Sequence, residues 1–240
     1  MKLYAYCLVD EIDTLDVQRP GISGAAVRLL KIDDLSLLIS ELESDITPVT
    51  RENALDHAAV VRSVLDRATP LPFRFGSLGT EQQLRSYIMT HAAALKTKLA
   101  HVRGCVEMNL KIMGNDKNDR EPQPQAGSPP GAGTVFLENK RREFRNEEQR
   151  VAQVSEVSAL LQERLGGLLR DERIDLRPSK TVVLAAVAHL IEVGNIQSYR
   201  EKAAEILENR PELRFLLSGP WPPYSFANIE LEFKTQFGVS

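Results

Sequence analysis

GCVEMNLKIM, residues 104–113, decides the fold. Val106, Met108, Leu110 and Ile112 alternate with Cys105, Glu107, Asn109, Lys111 and Met113, so one side of an extended chain is uniformly apolar and the other mostly polar. Successive side chains of a strand point to opposite faces, and the pattern predicts a strand with one buried face and one wetted face.

Downstream of it, GNDKNDREPQPQAGSPPGAG (114–133) has no Leu, Ile, Val or aromatic residue and concentrates proline and glycine. Such a segment cannot bury enough surface to offset its ordering entropy, so a mobile loop is expected at 114–133. Residues 135–169 form the longest helix candidate. Leu137, Phe144, Val151, Val154, Leu161, Leu165 and Leu168 keep a narrow stripe at spacings of three, four and seven, beside charges of both signs. That helix reads either as a solvated face beside one packed seam or as a partner-binding coiled segment.

ERIDLRP and TVVLAAVAHLIEV follow as a hairpin around RPSK, the second run being short for a helix and flanked by turn residues. A helix carrying Ile196, Tyr199, Ala203 and Ile206 on one face breaks before Pro211 and leads into ELRFLLSGP, a last strand. From residue 104 the order is strand, helix, strand, strand, helix, strand, the ferredoxin-like split βαβ pattern.

Upstream, KLYAYCLV (2–9), AAVRLLKI (25–32) and LSLLISEL (35–42) read as strands, the last two joined through a turn at Asp33 and Asp34. A helix capped by Thr50 places Ala54, Ala58, Val61 and Leu65 on one stripe, with His57 at its border, and ends before Pro70. In LPFRFG (71–76), Phe73 and Phe75 share one face of a short extended piece and Arg74 points the other way. One further helix strings Leu84, Ile88, His91, Leu95 and Leu99 along a stripe, where His91 is expected in the core. The expected class is α+β in two domains: an N-terminal α+β domain at 1–102 and a ferredoxin-like (βαββαβ) domain at 103–240, which includes the C-terminal Pro/aromatic segment.

A length of 240 residues suits two domains, and 42% hydrophobic with 26% charged residues suffices to fold without disulfides or metals. The net charge of −3 supplies no global basic field for a polyanion, which weakens nucleic-acid and anionic-membrane readings. Cys7 and Cys105 both sit in apolar runs, which suits buried thiols in a reducing compartment. The opening MKLYAYCLVDE turns acidic too early for a signal peptide, and TVVLAAVAHLI is too short to cross a bilayer. A soluble protein, neither secreted nor membrane-spanning, is expected.

Catalytic constellations are missing from the sequence. It has no phosphate-binding G-x-x-x-x-G-K-[ST] loop, its GAG at 131–133 lacks a third glycine, and neither GISGA nor FGSLG forms a nucleophile elbow. His57, His91, His101 and His189 lie far apart with no ligand spacing, and Asp33/Asp34 and Glu147/Glu148 are explained by turn formation and helix solvation. No catalytic residue, cofactor or metal site is expected.

What stands out instead is SGPWPPYSF (218–226), in which Pro220, Pro222 and Pro223 fix φ and remove backbone donors around Trp221, Tyr224 and Phe226. Nothing after Leu217 is expected to continue as a central strand. The segment reads either as a brace across the protein's own core, anchored by Trp221, or as a preorganised aromatic surface for another protein.

SGPWPPYSF, LPFRFG and the opening YAYCLV together resemble the gas vesicle accessory proteins of the F and L type, over nearly the whole chain. The resemblance implies a non-enzymatic minor component of gas vesicles, the hollow protein shells in the cytoplasm of some bacteria and archaea, with a modified ferredoxin-like second domain. It implies as partners the small hydrophobic main shell protein or other accessory proteins during nucleation and assembly, and neither nucleic acid nor membrane. The positions that match its motifs are Leu71, Pro72, Arg74, Phe75 and Gly76 in the first stretch and Gly219, Pro220, Trp221, Pro222, Pro223, Tyr224 and Phe226 in the second. From another class comes the alternative of a ferredoxin-like regulatory protein that binds RNA or a small ligand.

Overall fold

The structure is a computed structural model that describes residues 2–10, 19–43, 47–114, 132–176, 183–208, 213–227 and 229. The chain divides into two compact units, Met1–Glu107 with Pro220–Ser240, and Met108–Gly219.

The first unit is built on a sheet of β1 (Lys2–Asp10), β2 (Val27–Ile32), β3 (Leu35–Leu42), β4 (Leu71–Pro72) and β5 (Leu78–Gly79). The strands run in the order β2-β3-β1-β4, and β5 also pairs with β1. Leu3 to Val9 are all buried, as a central strand covered on both faces requires, which is why KLYAYCLV is apolar without alternation. Its antiparallel register with β3 shifts between Ala5 and Cys7, leaving Tyr6 as the extra residue of a bulge. Between β2 and β3 the two-residue turn opens at Asp33 with φ 51°, a left-handed conformation that aspartate tolerates.

Helix α1 (Arg51–Val64) starts where expected, with the Asn53 amide donating to Thr50 Oγ1 at 3.1 Å. Its buried face differs from the expected stripe: Ala54 and Ala58 are exposed, while Asn53, His57, Val60, Val61 and Val64 are buried. Apolar periodicity misplaced the face by about one residue because two polar side chains occupy it, each with a partner. Asn53 Nδ2 donates to the Pro48 carbonyl at 2.9 Å, and His57 Nδ1 lies 2.9 Å from the Tyr4 hydroxyl.

The single helix expected around Leu84 to Leu99 is two, α2 (Glu81–Thr90) and α3 (Ala92–Val102), broken at His91. His91 is exposed, correcting its expected place in the core. Its ring lies 4.4 Å from that of Tyr87, and its Nδ1 sits 2.9 Å from the Tyr87 carbonyl, which also accepts from the His91 amide at 3.0 Å.

A second sheet is formed by β6 (Cys105–Gly114), β7 (Leu169–Leu176), β8 (Val183–Glu192) and β9 (Leu213–Trp221) in the order β7-β8-β6-β9. With α4 (Ala132–Leu165) after the first of these strands and α5 (Ile196–Glu208) after the third, this is the ferredoxin-like arrangement read from the sequence. The expected turn at RPSK and the helix end before Pro211 fall outside the described residues, as do residues 115–131 of the polar stretch.

Helix α5 buries Tyr199, Ala203 and Ile206 as its period predicts, and α4 packs against it. Of the expected α4 stripe, Val154, Leu161 and Leu165 are buried, joined by Val157, whereas Leu168 is half-buried and Phe144 is 67% and Val151 42% exposed. The side chain of Leu137 lies outside the described residues.

Strand β6 follows its predicted alternation from Met108 to Ile112 but not before it. Cys105 and Glu107, expected on a wetted face, are fully buried or nearly so. The cover over Glu107 comes from the other end of the chain.

Candidate functional site

Strand β9 continues through Pro220 to Trp221, because a proline without an N–H costs nothing on the outer side of an edge strand. After it, Pro222 and Pro223 open the one-turn helix α6 (Tyr224–Ala227), whose Phe226 and Ala227 amides reach back to the Pro223 carbonyl at 3.1 and 3.0 Å. A proline can lead a helical turn because the amides there have no acceptor within the turn.

Two contacts hold this segment onto the first unit. Glu107 points both carboxylate oxygens at Ser225, whose amide donates to Oε2 at 2.7 Å and whose hydroxyl donates to Oε1 at 2.8 Å. Charge-assisted bonds of this kind are stronger than neutral ones, and a carboxylate only 2% exposed needs them. Phe226 (4% exposed) supplies the apolar anchor, with Pro222, Pro223 and Ala227 also buried.

Helix α6 packs against β4, and beyond it Ile229 forms a parallel bridge with Phe73, so the two stretches singled out in the sequence meet in one place. Leu71, Pro72 and Phe73 are buried there, and Arg74 is exposed. The Arg74 carbonyl accepts from the Ser77 amide at 3.2 Å and hydroxyl at 2.7 Å, closing a turn in which Gly76 takes φ 87°. A β-carbon at Gly76 would meet nothing within 4 Å, so glycine is needed there for its backbone freedom and not for space. Gly219 stands apart: it belongs to the second unit, where its carbonyl accepts from Arg200 at 2.9 Å.

Trp221 is not the anchor. It is 38% exposed with the Arg62 guanidinium 5.0 Å from its ring centre, and Tyr224 is 39% exposed. Of the two readings made from the sequence, the brace is carried by Phe226, Pro222 and Pro223. These are buried, while Trp221 and Tyr224 each keep over a third of their surface exposed, with the Tyr224 hydroxyl on the inner side, where burial, Cys7 and Glu107 push its pKa up.

Under this surface lies a polar core that periodicity could not find. The Gly76 amide donates to the Tyr4 hydroxyl at 3.1 Å, and that hydroxyl lies 2.9 Å from His57 Nδ1. Phe75, half-buried, sets its ring edge-on to Tyr4 and His57 at 6.2 and 6.0 Å. Nearby, the Tyr6 hydroxyl donates to Ser40 Oγ and accepts from the Ile22 amide, both at 2.9 Å.

His57 Nε2 has no hydrogen-bond partner among the described residues. Burial pushes the His57 pKa down to about 4, opposed weakly by the Phe73 backbone. The unfolded chain takes up this proton first, near the ordinary histidine value of about 6.5. The stabilisation is therefore complete above about 6.5 and is lost as pH falls towards 4. Urea titrations should show up to ~3 kcal/mol lost over that window, and a folded His57→Gln variant should lack that part of the slope.

A second buried group escaped the sequence reading. His189 on β8 is fully buried with Nε2 2.7 Å from Glu172 on β7 and Nδ1 2.6 Å from the Tyr199 hydroxyl on α5. Burial and the Glu172 charge both push the Tyr199 pKa up. His189 and Tyr199 are fully buried and the Glu172 side chain is 22% exposed, and the hydrogen bonds of the trio tie the sheet to the helix. Among the described residues no group of His, Cys, Asp and Glu could hold a metal ion, and no helix is long and apolar enough to cross a membrane.

The sequence model of one family, described as gas vesicle synthesis protein GvpL/GvpF, matches residues 2–228. Gas vesicle protein L2 of Halobacterium salinarum is 27% identical, the alignment covering 93% of this chain and 90% of that protein. Gas vesicle protein F1 of the same organism is 23% identical over 99% and 98%. Crystal structures of GvpF from Anabaena and from Microcystis aeruginosa superpose with TM-scores of 0.72 and 0.73 at 19% identity, over 95% of this chain and 97% and 99% of theirs. At that identity the two structures speak for the fold, and they share it across both units.

Proposed function

The chain belongs to the gas vesicle synthesis protein GvpL/GvpF family, and from that membership we propose that it is a non-enzymatic minor component that binds the main shell protein and limits its aggregation while a vesicle is nucleated. Its place of action is the gas vesicle in the cytoplasm, and other accessory proteins join it there. The domain division at 1–102 and 103–240 is part of this proposal, and the compact units differ from it in placing Pro220–Ser240 with Met1–Glu107.

One observation carries this reading: Pro220 to Ala227 is clamped by Glu107 and Phe226 in a way that leaves Trp221 and Tyr224 each somewhat over a third exposed. Large aromatics on a stiff backbone lose little entropy when a partner covers them, and Trp and Tyr dominate binding hot spots. A small hydrophobic shell protein offers the apolar surface such a patch fits. Light scattering by shell protein diluted from denaturant tests the proposal. An equimolar amount of this chain is expected to delay and lower the signal, and an unchanged time course would overturn the reading.

A further inference from the structure

The stretch LENKRREFRNEEQRV, residues 137–151 of α4, has a charge pattern that reverses about Phe144. Counting outward equally from that residue, Glu143 is matched with Arg145, Arg141 with Glu147, Lys140 with Glu148 and Glu138 with Arg150. No like-charged match occurs, and the outermost pair, Leu137 with Val151, is apolar. On a helix, positions 137, 140, 141, 144, 147, 148 and 151 fall on one face.

The described residues of that face are exposed. Every residue whose burial is described between Lys140 and Ala152 is exposed, including Phe144 at 67% and Val151 at 42%, whereas burial resumes at Val154. A helical stretch of this length without tertiary cover is marginal in water, so something that lies along it would stabilise it.

We propose that the covering element is α4 of a second copy of this chain, running antiparallel and crossing at Phe144. Antiparallel pairing about a two-fold axis sets residue 144 against itself and every residue beyond it against its mirror position. The pattern read from one chain thus becomes the contact map of two. Phe144 meets Phe144 of the other copy at the centre, Leu137 meets Val151 at each end, and Lys140 with Glu148 and Arg141 with Glu147 flank the seam twice over. An acidic or a basic partner would meet like charges along half of this face, and a parallel arrangement would lose the matching. The buried area of a pair of half-helices falls at the small end of specific interfaces, below ~1,200 Å², so the association is a weak, concentration-dependent dimer.

Sedimentation velocity of the full chain over about 1–200 µM tests this. The wild type should shift from monomer to dimer across the range. Lys140→Glu and Glu148→Lys, each shown folded by circular dichroism, should each associate at least tenfold more weakly, because each variant faces its own copy with like charges. An equimolar mixture of the two should recover the dimer, since each variant complements the other. A wild type that stays monomeric throughout, variants that dimerise as the wild type does, or a mixture that stays monomeric would each overturn the proposal.

Discussion

Phe226→Ala is expected to destabilise the protein by about 3–4 kcal/mol, read as a lowered urea midpoint. The ring is 4% exposed and is the largest buried side chain described in the segment after β9. Its loss removes transfer free energy and leaves a void that α6 fills only by shifting on β4. A shift of that kind strains the bonds from Ser225 to Glu107, so the cost includes part of a buried carboxylate's hydrogen bonding. Phe226→Ala and Glu107→Ala act on one clamp, so the double variant should cost less than the sum of the two single losses. Trp221→Ala, on a side chain 38% exposed, is expected to cost about 1 kcal/mol or less of stability.

His189→Ala should cost a similar amount, about 3–5 kcal/mol, for a different reason. Removing the imidazole leaves a cavity between β8 and α5 and strips the Tyr199 hydroxyl and Glu172 of the partner that joins them. Tyr199→Phe takes away the hydroxyl alone and should cost only about 1–2 kcal/mol. The ordering of these two variants separates a polar tie from simple packing: equal losses would mean that the hydrogen bonds contribute nothing beyond the ring's volume.

These residues also show how far a sequence can be read. The strands and their turn at Asp33, the Thr50 cap and the order of elements from Cys105 onward were legible because each follows from local chemistry or from a period of two or near four. The failures share one cause. His57 on α1, Glu107 on β6 and His189 on β8 are polar yet buried, and each is tolerated because a partner distant in sequence supplies its hydrogen bond. Periodicity assigns such positions to water, since nothing nearby in the chain reveals the partner.

The C-terminal stretch was readable as unusual but not as a structure. Its prolines announce stiffness, and its aromatics announce either burial or contact, but which aromatic does which depends on the 118-residue separation between Glu107 and Ser225. The N-terminal half of α4 is the opposite case. Its stripe was visible in the sequence, and the structure shows that Phe144 and Val151 are exposed.

Capture of the main shell protein by immobilised chain, comparing wild type with a Trp221→Ala/Tyr224→Ala variant that circular dichroism shows to be folded, tests the central claim most directly. Hot-spot aromatics of this kind carry at least about 2 kcal/mol, so capture by the variant should weaken by roughly thirtyfold. Equal capture by wild type and variant would contradict the claim that the partly exposed aromatics of the clamped segment are the contact surface.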